Sequence, residues 1–293
     1  MKLKSKNQKS KIVIVGVGLM GGSLGLALRR RGGWRVVGLS RRRSAVNRAR
    51  RRGAIHEGTT DPARALSHAD VVVFCAPVDQ IVPLARRCRR WIPPSALVMD
   101  VGSVKGPVVR GMEKLFSGAT GPAFIGAHPM AGSEKTGVEN ARADLYRGAV
   151  CALTPTGHTP AAARRRAEHF WRGLGARVLS LDPDAHDRAV ALISHLPHLI
   201  ADALVLAAGR RCSGASSQEI LYALAAGSFR DATRVAGADP KLWRGIFSLN
   251  AAPLREAAAL FQRVFSGLAA RRWPLAALRE AQKLNAAFRG PRP

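Results

Sequence analysis

Residues 11–31 read KIVIVGVGLMGGSLGLALRRR. Ile12 to Val15 are β-branched and consecutive, too short a run for a buried helix, and Gly16 bounds them. They read as a strand covered on both faces. Gly16-x-Gly18-x-x-Gly21 follows, and Gly21 to Arg31 continues as a helix. In that order, strand, glycine turn and helix, the glycines allow a tight turn and let a pyrophosphate approach backbone N–H groups at the helix N-terminus. Gly16, Gly18 and Gly21, with Leu19 and Met20 between them, are therefore candidate dinucleotide-binding residues.

Outward from this unit the alternation persists. WRVVGLS (34–40), DVVVFCAP (70–77), ALVMDVGS (96–103) and AFIGAHPM (123–130) read as strands, with helices over 44–52 and 80–91. This is the sequence form of an α/β Rossmann-type, doubly wound parallel sheet, which binds ligands at the carboxyl ends of its strands. After LSLDPDAHD (179–187) the β-rich runs stop and long Ala- and Leu-rich helical patterns begin. The expected domains are 1–181, dinucleotide-binding, and 182–293, an all-α substrate and dimerisation domain. Helices this apolar need a partner, and a homodimer is the simplest one.

Composition narrows the class. The chain has 293 residues, 47% hydrophobic and 23% charged, as a folded protein has. Its 47 basic and 19 acidic residues give a net charge of +28. The arginine clusters are scattered along the chain and aromatics make up only 5%, which favours a solvated surface over a nucleic-acid platform. Four cysteines without a C-x-x-C pair or histidines at zinc spacing predict a reduced compartment and no metal site. The basic N-terminus lacks a signal-peptide core, so a cytoplasmic location is expected. The apolar stretch 189–208 carries Ser194, His195, Pro197, His198 and Asp202, a load that favours a helix buried in a soluble core over a membrane span.

About twenty residues beyond the glycine turn, where NAD-binding domains carry an acid for the ribose, stand Ser40, Arg41, Arg42 and Arg43. A hydroxyl followed by guanidiniums suits a 2′-phosphate, so NADP is the expected cofactor and NAD the second choice. Further along, His128 in GAHPMAGSEKTG lies at a strand end, where a side chain can face the crevice, and GSVKG puts the hydroxyl of Ser103 beside it. SHLPH places His195 and His198 three apart on a helix, if the helix survives Pro197. GSFRDATRVAGADPKLWR then supplies Asp231, Arg234 and Trp243. Together these outline a hydride-transfer site for an anionic substrate.

At this point the chain resembles the prephenate and arogenate dehydrogenases of tyrosine biosynthesis. The matching pieces are VGVGLMGGSLG, DVVVFCAPV, MDVGSVKG, GAHPMAGSEKTGVE, AHDRAVALISHLPH and GSFRDATRVAGADPKLWR, in family order over roughly residues 11 to 290. The resemblance implies oxidative decarboxylation of prephenate, or alternatively of arogenate. It implies His128 as the base, Ser103 as its orienting partner, Arg234 as the clamp for a substrate carboxylate and His198 as a further polar contact. Glu134 and Asp231 would form ionic contacts around that arginine, Trp243 would line the site, and Pro77 would join the cofactor contacts. A β-hydroxyacid dehydrogenase shares the glycine turn, but it would use a helical lysine, and no lysine lies between Asp144 and Pro240. Neither a mutase segment nor an ACT regulatory domain is expected within this length.

Overall fold

The computed structural model describes residues 9–117, 121–132, 135–211, 215–270 and 274–289. The first half runs β1 (Ser10–Val15), α1 (Leu19–Arg31), β2 (Trp34–Leu39), α2 (Arg43–Arg51), β3 (Glu57–Thr59), α3 (Pro62–Leu66), β4 (Val71–Phe74), α4 (Val78–Cys88), β5 (Leu97–Asp100) and α5 (Gly106–Phe116). It continues with β6 (Ala123–Pro129), β7 (Val150–Thr154), α6 (Ala161–Gly173) and β8 (Arg177–Ser180). The strands form one sheet in the order β3-β2-β1-β4-β5-β6-β7-β8.

Period-two alternation explains why the strand sequences are continuously apolar. Ile12, Ile14, Val36, Val71, Val73 and Met99 face one side and pack with α1, α2 and α6. Val13, Val15, Val37, Val72, Phe74 and Val98 face the other and pack with α3, α4 and α5. Each such side chain contributes roughly 1.5–3 kcal/mol by its removal from water.

The sheet departs from the expected all-parallel form at one place. β7 runs antiparallel to β6, pairing Gly126 with Thr154 and Pro129 with Cys151. After β6 no long helix carries the chain back across the sheet. The segment 138–149 instead packs on α1 and α2, so β7 starts where β6 ends. α6 then makes an ordinary crossover to β8, which is parallel to β7.

The helical half follows directly, with α7 (Pro183–Val190), a π-helical turn over Ala191–His195, α8 (Leu196–Arg211), α9 (Ala215–Leu224), α10 (Gly227–Thr233), a 3-10 turn at Arg234–Gly237, α11 (Pro240–Leu249), α12 (Ala251–Ala270) and α13 (Leu275–Arg289). Asp182 caps α7 by accepting from the N–H groups of Asp184 and Ala185, with Pro183 in the first position. The helix does survive Pro197. The ring removes one backbone donor and crowds the carbonyl four residues back, and the π turn just before it absorbs both effects.

Residues 183–210 therefore form one rod, the only helix among the described residues long and apolar enough to cross a membrane. The chain itself buries only a third of its most apolar stretch, which corrects the expectation of a core helix. Ile193, Val205 and Leu206 on the rod, and Val264 and Phe265 on α12, are exposed.

Candidate active site

The carboxyl ends of β1, β4, β5 and β6 lie side by side along one edge, and Gly16, Pro77, Ser103 and His128 stand at them. Gly16 has φ of +99° and donates its N–H to the Leu39 carbonyl at 2.9 Å. A Cβ at Gly16 would collide with the Cys75 carbonyl, whereas one at Gly18 would meet nothing within 4 Å. The turn is thus tight on the sheet side and open in front of the first N–H groups of α1. That open, donor-lined space fits a dinucleotide pyrophosphate.

The segment 138–149 braces this turn. The buried Tyr146 hydroxyl donates to the Met20 carbonyl at 2.7 Å, and Arg142 N–H donates to Ser23 Oγ at 3.0 Å. Pro77 precedes α4 at the neighbouring strand end. At the end of β2, Ser40 N–H donates to the Thr59 carbonyl at 3.3 Å, and Arg41 and Arg42 stand exposed beyond it.

Between β5 and β6 lies a buried ion pair that the sequence reading did not single out. Lys105 Nζ donates to Asp100 Oδ2 and, at 3.0 Å, to the Ala127 carbonyl. The other Asp100 oxygen accepts the Ala127 N–H at 3.1 Å. Both backbone groups of the residue before His128 are therefore clamped. Removing either charge would leave the other buried and unpaired, at a cost of about 3–5 kcal/mol.

The lysine also begins the contact between the two halves. Its N–H and that of Gly106 donate to the Asp187 carboxylate on α7 at 2.7 and 2.8 Å. A Cβ at Gly106 would meet the Asp184 carboxylate, whose side chain would have to move aside. Beside Asp187, His186 Nδ1 lies 2.8 Å from Asp187 Oδ1, and its Nε2 lies 2.9 Å from His128 Nδ1. His128 is half-buried, while His186 and Asp187 are buried. Ser103, in the turn after β5, makes no hydrogen bond to His128 among the described residues; the ring is oriented by His186 instead.

A second group sits on the same rod. Asn250 Nδ2 donates to the Asp187 backbone carbonyl at 2.9 Å and lies 2.9 Å from His195 Nδ1. An amide nitrogen only donates, so His195 Nδ1 accepts and its proton resides on Nε2. His198, buried, stacks on Trp243 with ring centroids 3.5 Å apart and 15° between planes. Among the described residues its Nδ1 has no hydrogen-bond partner, and Asp202 lies 3.8 Å from its Nε2. Arg234, exposed, opens a turn that packs against α8, and Asp231, also exposed, lies one turn earlier on α10. Glu134 lies outside the described residues.

The electrostatics favour neutral imidazoles. Burial, followed by the neighbouring His186, Lys105 and His195, holds His128 well below the ordinary histidine value. Burial lowers His195 to about 4 against the opposing pull of Asp187, and lowers His198 against Asp202. A neutral histidine at a strand end beside an open dinucleotide turn can accept a proton from a bound alcohol.

The family model for the prephenate dehydrogenase nucleotide-binding domain matches residues 24–180, and that for the prephenate dehydrogenase dimerization domain matches residues 182–271. The chain belongs to the prephenate dehydrogenase family. It is 33% identical over 248 residues to the prephenate dehydrogenase of Bacillus subtilis, covering 83% of this chain and 64% of that protein, so it spans just under two thirds of that relative's length. Among solved structures, the prephenate dehydrogenase of A. aeolicus in complex with hydroxyphenyl propionate and NAD+ superimposes with a TM-score of 0.88 at 32% identity, over 97% of this chain and all of that one. The Synechocystis arogenate dehydrogenase does so with 0.79 at 31% identity, over 95% and 98%. The family's two modules meet at residues 180 and 182, between β8 and α7.

Family members carry out NAD(P)-dependent oxidoreduction, and the seam between the two halves is where the chemistry-bearing residues converge. Asp100, Lys105, His186, Asp187 and Asn250 escaped the sequence reading. His186 and Asp187 do lie within the segment AHDRAVALISHLPH, just after a clear Asp-Pro helix start and on the same arc as Val190 and Ala191.

Proposed function

We propose that this protein is a soluble, cytoplasmic, homodimeric prephenate dehydrogenase that converts prephenate to 4-hydroxyphenylpyruvate with NADP in preference to NAD. The observation that carries the reading is His128, kept neutral at the carboxyl edge of the sheet beside an open glycine turn, in a chain of this family. Prephenate is a non-aromatic ring with a hydroxyl at one end and, at the other, a carboxylate and a pyruvyl side chain. The dinucleotide, when bound, supplies the hydride acceptor.

His128 Nε2 accepts a hydrogen bond from the ring hydroxyl and takes its proton as hydride leaves the same carbon. Loss of CO₂ then makes the ring aromatic, and the proton returns to the oxygen, so none is released overall. Aromatisation drives the reaction, which leaves the protein mainly the tasks of orientation and proton transfer. Ser103 positions the hydroxyl, Arg234 holds a substrate carboxylate, Asp231 and Glu134 supply ionic contacts around that arginine, and Trp243 with His198 walls the site. Gly16, Gly18, Leu19, Met20, Gly21 and Pro77 cradle the dinucleotide. Ser40, Arg41 and Arg42 meet the 2′-phosphate, since exposed guanidiniums at the end of β2 attract a group that an acid there would repel.

Arogenate is the second reading, supported by the likeness to the Synechocystis enzyme. A neutral His198 favours the keto acid, because it can hydrogen-bond a carbonyl without offering a counter-charge to an amine. The test is reduced-nicotinamide absorbance with each substrate and each dinucleotide. Turnover fastest with prephenate and NADP supports the proposal; arogenate or NAD winning by tenfold replaces that part of it, and no turnover in any of the four mixtures rejects the activity.

A further inference from the structure

We infer that His186 and Asp187 form a relay that sets the tautomer of His128, placing its proton on Nδ1 and leaving Nε2 bare as the proton acceptor. The inference rests on the reading of His128 as the base. Asp187, as a carboxylate, has only lone pairs to offer, and it accepts from the N–H groups of Lys105 and Gly106. His186 Nδ1, 2.8 Å from Oδ1, must therefore carry a hydrogen. In the neutral imidazole its Nε2 is then an acceptor, and the group facing it at 2.9 Å is His128 Nδ1. The two rings meet edge to face, 5.1 Å between centroids and 71° between planes, a geometry in which one ring's N–H can point at the other's lone pair. In this arrangement each N–H points toward the carboxylate: His128 Nδ1 donates to His186 Nε2, and His186 Nδ1 donates to Asp187 Oδ1.

The relay does two things for the reaction. Before proton transfer it prevents the ring from holding its hydrogen on the nitrogen that must act. As His128 becomes cationic, its Nδ1–H still finds an acceptor, and Asp187 lies one ring further on as a fixed negative charge. The other charged or titratable groups around the ring are Lys105 and Asp100 at the foot of α5, and His195 on the π turn. None of them is placed to accept from Nδ1. His186 and Asp187 touch neither substrate nor dinucleotide in this scheme; they are positioning residues.

Three measurements test the relay. In the unmutated enzyme labelled with 15N-histidine, the resonances lost in His128→Asn should show a protonated Nδ1 and a bare Nε2; a proton on Nε2 overturns the relay whatever the variants do. His186→Met, which removes the acceptor, should lower kcat about 100-fold with KM for both substrates within threefold, and should let the His128 tautomer mix. His186→Gln, whose amide oxygen can stand near the lost Nε2, should recover most of that loss. Unchanged kcat and an unchanged His128 spectrum in His186→Met overturn the inference. Turnover that survives in His128→Asn rejects the base itself, an outcome separate from failure of the relay. If His186→Met does not fold, the spectrum of the unmutated enzyme and the Gln variant still decide.

Discussion

At the scale of single residues, burial favours the neutral imidazole at His128, His195 and His198. His128→Asn keeps a polar group of similar shape but no base. It should cut kcat by a factor on the order of 10² to 10⁴ with dissociation constants little changed; turnover within threefold of the parent would remove His128 from catalysis. Arg234→Gln should act the other way, raising KM for the substrate roughly 10- to 100-fold at nearly constant kcat, and an unchanged KM would exclude the clamp role. The depressed His195 also has a thermodynamic signature. Its folded value of about 4 lies below the ordinary 6.5, so the unfolded chain binds the extra proton and stability is complete above pH 6.5 and lost as pH falls toward 4. Urea unfolding should show a loss on the order of 3 kcal/mol across that window, and His195→Gln should flatten the slope; equal slopes would show that the ring is not held neutral. His128, His195, His198 and Arg234 could be singled out in the sequence because each sits in a motif of chemistry-bearing residues. Lys105 was not, since a lysine in a glycine-flanked turn ordinarily faces water, and only the depth of Asp100 beneath it makes it a buried clamp. His186 and Asp187 were not singled out for a similar reason: what buries them is the N-terminus of α5, some 80 residues away in sequence.

At the scale of elements, local chemistry determined most of the sheet. The apolar runs of β1, β2, β4, β5 and β6 and the turn after β1 were readable because period, β-branching and glycine agree in them. β3 is only Glu57–Thr59, and β8, RVLS at the sheet edge, is half exposed; neither offers a run that propensity can detect. The direction of β7 was unreadable because it depends on the path of 138–149 over α1, a tertiary fact. The glycine turn allows a direct check. Gly16→Ala places a Cβ at a positive φ and against the Cys75 carbonyl, and the strain should cost roughly 1–3 kcal/mol of stability. Dinucleotide affinity should fall at least tenfold in titration calorimetry, and unaltered affinity would mean that the turn does not carry the cofactor.

At the scale of the whole molecule, the helical half leaves large apolar side chains uncovered on the rod, α12 and α13. Phe261 and Phe265 stack on α12 with centroids 5.8 Å apart, and Phe265 is 60% exposed. In the proposed homodimer this face is covered. Phe265→Glu should weaken self-association by at least about 100-fold, seen as a shift to monomer mass in sedimentation velocity; a dimer of unchanged affinity would place the interface elsewhere. The rod from Pro183 to Arg210 runs from this face to the catalytic seam, interrupted by the π turn over Ala191–His195. A π turn takes up one residue more than an α turn, so it acts as a phase shifter: if the same residues were wound as regular α-helix, everything beyond them would be rotated by about 100°. His198 and the exposed Leu204, Val205 and Leu206 would swing around together. A regular α-helix of the same length would thus misalign catalysis and assembly in one step, and the irregular turn is what keeps the two in register.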